Sequence, residues 1–362
     1  MQRRKLLFAV GTILGVGAVG AAGWRVATGS ATAFATSMQL LRRPLDTAAG
    51  PAEWLRYATL AANGHNTQPW LFRVAPDAIQ VLPDPAGRTP VVDPDDHHVW
   101  ASLGCAAANL ELAAAASGRI GITRYVADAE ALLQFEHEPG PALESPMCAA
   151  IPQRQSTRND YDGRAVPHSE LDQMLQAAEL PGVSMAVFTA RDAIARVRDL
   201  VIAGNTAQMA DPAFVRELRD WIRFSPREAL ARGDGLYAGA TGNPSIPDAL
   251  GRRLFGQLLR VDAENARYAS QLDSSAGVVV FVAERDDPAH WALAGMACQR
   301  FALTACALGV RTAFVNQPTE VLALRGELAA LAGMPGRRPN LVLRFGYAPL
   351  LPYSPRRPAA MA

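Results

Sequence analysis

His98-Val-Trp100-Ala-Ser-Leu-Gly104-Cys-Ala106 and His290-Trp291-Ala-Leu-Ala-Gly295-Met-Ala297 are the two stretches that organise this chain. From each tryptophan a glycine follows four residues on, and a second glycine (Gly118, Gly309) lies fourteen beyond that. Leu112 and Leu303 share an offset, as do Ala114 with Ala305 and Ala116 with Ala307. Small apolar residues all round predict a buried helix, and a glycine just past its last turn supplies the left-handed C′ residue that ends it. Each helix runs into a β-like segment, Ile120 to Val126 or Val310 to Val315. Each is preceded by a strand and an acidic turn: Ala78 to Leu82 with Asp84, and Val278 to Ala283 with Asp286-Asp287. One strand–helix–strand unit thus occurs twice, and a period this long, seen twice, means two similar halves rather than a solenoid. The spacing places them at residues 45–148 and 149–357.

The halves differ where chemistry could sit. In the first, a helix from Glu53 to Ala62 enters Asn63-Gly-His-Asn66-Thr67-Gln68-Pro69-Trp70 and then the strand Leu71-Phe-Arg-Val. In the second, a helix from Leu171 to Ala178 passes through Glu179-Leu180-Pro181-Gly182 into Val183 to Phe188, with no such cluster. The second half opens instead on Arg154-Gln-Ser156-Thr-Arg158. Pseudo-symmetric packing of the halves would make one composite site, each half supplying a different part.

Length and composition narrow the chemistry. The chain has 362 residues, 49% hydrophobic and 19% charged, with a net charge of +1. That content buries a large core and excludes disorder over most of the length. The balance supplies no basic face to hold a phosphate backbone, so no nucleic-acid partner is expected. Lys5 is the single lysine, so any anion site must use arginine forks or backbone amides. Cys105, Cys148, Cys298 and Cys306 have no metal-binding spacing; the last two, eight apart in an Ala-rich helix, read as packing.

Residues Met1 to Gly23 carry Arg3-Arg4 ahead of a Gly/Ala-rich apolar run, the pattern of a twin-arginine signal for folded, cofactor-loaded cargo. Residues 1–35 are therefore expected to be an export signal cut near Ala33-Phe34-Ala35, or an uncleaved anchor, with the protein periplasmic or on the outer face of the inner membrane. The twin-arginine machinery would then be a partner. Gly15-Val16-Gly17-Ala18-Val19-Gly20 matches a dinucleotide fingerprint by letter, but it follows no strand and lies inside the signal.

Arg154, Ser156 and Arg158 alternate, so in an extended segment all three project to one side, and two forked donors flanking a hydroxyl suit a phosphate. A solvated surface strand would show the same pattern. Asn66, Thr67 and Gln68 ahead of Pro69 offer amides and a hydroxyl that can read the edge of a heterocycle, or simply cap a turn. Asp93-Pro-Asp95-Asp96-His97-His98 is the dense Asp/His cluster; without a spaced further ligand it reads as helix capping, and no metal is expected. Asp211 to Leu259 mixes aromatics, arginines and Gly/Pro punctuation before the second half's strand, as a lid or as an excursion covering the core.

The string Asn63-Gly-His-Asn66-Thr67-Gln68-Pro69-Trp70 resembles the NxQPW element of the nitroreductase family of flavin enzymes. Arg154-Gln-Ser156-Thr-Arg158 resembles that family's RxSxR element, and Asn340-Leu-Val-Leu-Arg344-Phe-Gly346-Tyr347 its closing strand. The two elements stand in reverse order and in different halves, which resembles the Acg-like branch, where one chain mimics the family homodimer. The resemblance covers about residues 45 to 357. It implies an α+β fold and a monomer with pseudo-dimeric architecture. One FMN would lie between the halves, with Arg154, Ser156 and Arg158 on its phosphate, helped by Arg356 or Arg357. Asn66, Thr67 and Gln68 would approach the ring from the opposite half, and Asn316-Gln317 would face its reactive edge. Asn316 stands where the family often has an acidic residue. The flavin would carry the electrons between a small-molecule donor and acceptor, a nitroaromatic or quinone, so no side chain need be catalytic. The competing expectation is a flavin-sequestering protein with little reductase activity.

Overall fold

The computed structural model describes residues 23–127 and 130–362. Arg3-Arg4, the apolar run that follows and the glycine motif within it lie outside the described residues.

Helix α1 (Ala31–Leu41) starts at Ser30, whose hydroxyl accepts from the Ala33 amide, and buries Phe34 and Met38, one turn apart. The expected cleavage point at Ala33-Phe34-Ala35 is therefore helical, with the Phe34 ring 4.5 Å from that of Tyr237. Helix α2 (Pro51–Ala58) begins on a proline, whose missing N–H costs nothing at that position. Next come strands β1 (Trp70–Val74) and β2 (Ala78–Pro83), then helix α3 (His97–Ala116), closed by Gly118 at φ 74°. Strands β3 (Arg119–Val126) and β4 (Leu132–Pro139) complete an antiparallel sheet of order β1-β2-β4-β3. Phe72, Ile79, Val81 and Phe135 pack on α3, while Val74 at the end of β1 and Ile122 on β3 are exposed. The first sheet is thus half-buried.

After a short helix α4 (Pro146–Ala150) the pattern repeats. Helix α5 (His168–Ala178) leads into β5 (Val183–Phe188). An insertion then runs through α6 (Arg191–Ala210), α7 (Pro212–Trp221), the two-residue β6 (Ile222–Arg223), α8 (Pro226–Arg232), β7 (Leu236–Tyr237), α9 (Asp248–Leu258) and α10 (Val261–Asp273). Strand β8 (Gly277–Ala283), helix α11 (Pro288–Ala307), β9 (Arg311–Phe314), the short α12 (Gln317–Glu320), α13 (Leu322–Leu331) and β10 (Pro339–Gly346) finish the chain. The second sheet has the order β5-β8-β10-β9, the same path as the first. Its β8 and β10 are buried at every residue: Phe281 and Phe345 face α11, whereas Val280 and Val342 face Val197 and Val201 of α6. Burial on both faces is why Val278 to Ala283 reads as an unbroken apolar run.

The two long helices pack against each other. A Cβ added at Gly104 would sit 1.9 Å from the carbonyl oxygen of Ala292, and one at Gly295 would sit 1.9 Å from that of Ala101. These contacts are reciprocal, because Ala101 and Ala292 each follow the tryptophan of their own helix. By length and composition α3 could cross a membrane, but it is a core helix with 78% of its apolar window buried. All four cysteines are free and buried. The C-terminal tail returns to the first sheet: the Phe72 amide donates to Ala360 O and Ala362 N donates to Phe72 O, each at 2.9 Å.

Candidate functional site

A cavity of about 220 Å³ lies on the seam between the halves. The first half lines it with Asn63, Gly64, His65, His98, Ser102 and Cys105, and the second with Ser156, Arg158, Phe314, Asn316, Gln317 and Glu320. Asn205, Gln208, Phe214, Leu218, Leu236 and Tyr268 come from the insertion. Although the insertion leaves the second sheet, it is tied to the first half. Glu217 accepts from the amides of Val91 and Val92, and Gly235 N donates to Asn66 O, all at 3.0 Å.

The segment from Asn63 to Gln68 makes the first wall, and its backbone is strained. His65, Asn66 and Gln68 hold φ of 45°, 56° and 54°, a left-handed region that costs a non-glycine residue about 1 kcal/mol or more. Side chains offset that cost. Asn63 Oδ1 accepts from Gln68 N at 2.9 Å, and Asn66 Nδ2 donates to Gly235 O and Pro355 O at 3.0 Å. Gln68 Nε2 donates to Gly233 O, and its Oε1 accepts from Arg357 N, both at 2.9 Å. Arg357 also donates to the carbonyls of Thr67 and Gln68, and Arg356 to those of Thr59 and Ala61 and to Asn66 Oδ1. Asn66, Thr67, Gln68, Arg356 and Arg357 are therefore not among the residues lining the cavity. They clamp the loop whose Asn63, Gly64 and His65 do line it.

Arg154, Ser156 and Arg158 do not share one side. Arg154 N still bonds to Ala150 O in the last turn after α4, so strand alternation has not begun there. Its guanidinium points back to Leu60 O at 2.9 Å, stacked behind the cavity wall beside Arg42, which donates to Pro152 O. Ser156 pairs once with Thr312, and from that point the chain is extended, bringing Ser156 and Arg158 to the cavity. The backbone around Arg158 is pinned by Gln271, which donates to Arg158 O at 2.7 Å, and by fully buried Arg344, which donates to Thr157 O and Asn159 O. The Arg158 guanidinium makes no hydrogen bond or ion pair among the described residues, and burial depresses its pKa.

Asn316 and Gln317 both reach the cavity, with different duties. Asn316 Oδ1 accepts from Val342 N at 2.8 Å, fixing the turn after β9 to the sheet. Gln317 is buried, and its Oε1 has no partner. A Cβ on Gly204 of α6 would lie 2.7 Å from Gln317 Cβ, so the insertion holds that side chain in place.

Sequence reasoning missed the titratable wall. His98 Nε2 lies 3.4 Å from Glu320 Oε1, and Glu320 Oε2 accepts from Gln208 Nε2 at 2.6 Å. Burial alone would lower the His98 pKa, but its bond to Glu320 and the charges of Asp93 and Glu320 outweigh that and raise it. Burial would raise Glu320, and the same pairing holds it below the usual carboxylate range. Asp93, His97 and His98 place ligand atoms within 4.8 Å of one another. Asp93 already caps α3 through the amides of His98 and Val99, and His97 Nε2 meets Asn340 Nδ2 at 2.9 Å. The Asp93 to His98 cluster was the available signal for His98, and it reads there as helix capping; nothing local pointed to Glu320.

A model of the nitroreductase family matches residues 151–347, more than half of the chain. Two curated relatives, from two strains of Mycobacterium tuberculosis and provisionally named NAD(P)H nitroreductase, are each 27% identical over 312 residues, covering 84% of this chain and 88% of theirs. Solved structures with similarity include the FMN-dependent nitroreductase NfnB from Mycobacterium smegmatis in complex with NADPH, at 14% identity, with 56% of this chain and 87% of that chain covered and a TM-score of 0.37. A nitroreductase with bound FMN from Desulfitobacterium hafniense aligns at 15% identity over 59% of this chain and 94% of its own, with a TM-score of 0.36.

Proposed function

The chain belongs to the nitroreductase family, and from that premise we propose that it is an FMN-dependent oxidoreductase that reduces a nitroaromatic, quinone or similar acceptor at one site on the seam between its halves. The observation that carries the reading is the pair of unsatisfied groups in that cavity. Arg158 is a half-buried guanidinium without a partner among the described residues, and Gln317 Oε1 is a fully buried acceptor without a donor. An unmatched buried polar group costs about 1–3 kcal/mol, and a planar heterocycle with an anionic tail and ring N–H groups would satisfy both. FMN is such a molecule, and it would supply two-electron transfer. Ser156 and Arg158 would bind its acceptor oxygens, and Gln317 would take a ring N–H. His98, whose pKa is raised by Glu320 and Asp93 against the opposing effect of burial, would offer a proton on the cavity wall. Arg154, Arg356 and Arg357 would act through the loop and the wall behind it.

Equal strand order, the reciprocal glycine contacts and the tail crossing to the first sheet support reading the chain as a monomer that mimics a dimer. Residues 211–259 would then serve as a lid, a reading supported by Phe214, Leu218, Leu236 and Leu259 lining the cavity. A closed lid would also favour the second reading, a flavin-sequestering protein. The pair Arg3-Arg4 ahead of an apolar run supports export by the twin-arginine route, with the chain periplasmic or anchored at the outer face of the inner membrane. The names of the curated relatives support a reduced nicotinamide as the small-molecule donor.

The test is the visible spectrum of the purified protein, with the chromophore released by heat and identified, followed by NADPH turnover with menadione and with a nitrofuran. Stoichiometric FMN and turnover are expected. A colourless protein that takes up no FMN overturns the reading. Bound FMN that neither NADPH nor acceptor can reach moves it to sequestration.

A further inference from the structure

A second chamber of about 460 Å³ adjoins the seam cavity and shares Arg158, Leu218, Leu236, Leu259, Tyr268 and Phe314 with it. The insertion builds its far wall from Phe224, Ile246, Leu250, Leu254 and Phe255. This wall is constructed rather than left over. Phe224 and Phe255 meet edge to face at 6.1 Å, and Phe224 can lie flat on α9 only because Gly251 has no side chain, since a Cβ there would sit 2.4 Å from the ring. Its charged groups stand near the side shared with the cavity. They are Arg158, Glu264 and Arg267, and Arg267 already donates to Thr241 O. The neutral side chains of Thr241, Asn243 and Gln271 are engaged within the wall: Thr241 donates to Ala238 O, Asn243 to Thr241 Oγ1 and Gln271 to Arg158 O. A nucleotide or sugar tail would therefore bury most of its hydroxyls against leucine and phenylalanine, at a cost of about 1–3 kcal/mol for each one left unpaired.

We propose that this chamber holds the apolar tail of the acceptor, so that the substrate class is a quinone or comparable planar head bearing a hydrocarbon chain, its head in the seam cavity and its tail among Phe224, Ile246, Leu254 and Phe255. This rests on the oxidoreductase reading above. The two sources of such a tail, isoprenoid and straight alkyl, share the same chemistry. Each methylene moved from water into an apolar wall strengthens binding roughly fourfold, until the chamber is full.

The test uses the flavin-loaded protein and a set of benzoquinones with one head and either no tail, one or two isoprene units, or an alkyl chain of matching length. Dissociation constants are read from quenching of protein or flavin fluorescence, without turnover. Tailed quinones are expected to bind at least roughly tenfold tighter than the tail-less one, with the preferred tail type identifying the source. Ile246→Trp and Leu254→Trp, which fill the chamber, should collapse that ratio. Equal affinity for tailed and tail-less quinones overturns the proposal. So does loss of FMN from both tryptophan variants with the melting temperature unchanged, because the chamber would then belong to the cofactor. Should the protein bind no FMN at all, a redox-silent alkyl anilide still reads the chamber: tail-dependent binding keeps the tail site while the oxidoreductase reading falls, and no binding ends both.

Discussion

The first and second sheets trace the same path and live in different surroundings. In the first, β1 and β2 are joined by a three-residue turn at residues 75–77, and the outer face carries Arg73 and Gln80 and meets solvent at Ile122. In the second, the equivalent connection from β5 to β8 is the whole insertion, and its α6 covers the outer face with Ile194, Val197 and Val201. Identical topology therefore sets the seam, and one unequal connection decides which side of it becomes a site. Insertions at such a turn are thermodynamically cheap, because loop-closure cost grows only with the logarithm of length. What makes this one useful is that it leaves one half and bonds to the other, through Glu217 and Gly235.

The comparison breaks most readily at the seam. Gly104→Ala and Gly295→Ala each press a methyl into a backbone carbonyl on the opposite helix. Each is expected to cost about 3 kcal/mol and to lower the melting temperature by several degrees. Because the contacts are reciprocal, the double variant should lose less than the sum. Small, additive losses in calorimetry would show that the two helices do not share one contact.

Next in size is the contrast between two arginines four residues apart. Arg158→Ala should empty the site of FMN, by at least tenfold in affinity, while the flavin-free melting temperature stays put. Arg154→Ala should instead destabilise the fold by about 1–3 kcal/mol, since it strands Leu60 O beneath the loop. Reversed phenotypes, read by flavin titration and thermal melts, would exchange their roles.

Phe34→Ala should release α1 from the insertion and leave the halves intact. Amide exchange across residues 226–241 should speed at least tenfold while α3 and α11 are unchanged. Uniform exchange would mean that the insertion does not open separately.

The smallest effect belongs to the bridge between His98 and Glu320 across the seam. His98 titrates above its ordinary 6.5, so its contribution is complete below pH 6.5 and lost as pH rises through the raised value. Glu320 titrates below its ordinary 4.5, so its contribution is complete above pH 4.5 and lost on acidification. The pair is therefore strongest between those two values. Glu320→Gln should remove about 1 kcal/mol there and return the His98 titration, followed by NMR, toward or below 6.5. An unmoved histidine would refute the pairing.

Much of this was legible in the sequence because it is local. The buried helices show in their composition, and Gly118 and Gly309 end them as predicted, with φ of 74° and 78°. The strands fall within a residue or two of their expected bounds. Strand β4 and helix α6 were not expected, since the second half of Leu132-Leu-Gln-Phe-Glu-His-Glu-Pro is polar and α6 carries a polar stripe. At the cavity, Ser156, Arg158, Asn316 and Gln317 line the wall as the motifs suggested, whereas Asn66, Thr67, Gln68, Arg154, Arg356 and Arg357 do not. Asn66 and Gln68 turn away from the cavity because Pro355, Arg356 and Arg357 return from the far end of the chain to receive them. No window of sequence contains that meeting.

The reciprocal glycines carry a consequence for heredity. In a two-fold dimer one codon serves both sides of such a contact, and any insertion appears at both symmetry-related places at once. Here each glycine has its own codon, so each is exposed to mutation separately and neither can cover for the other. In exchange, an addition written once arises on one side alone, and natural selection can elaborate one cavity without disturbing its mirror position.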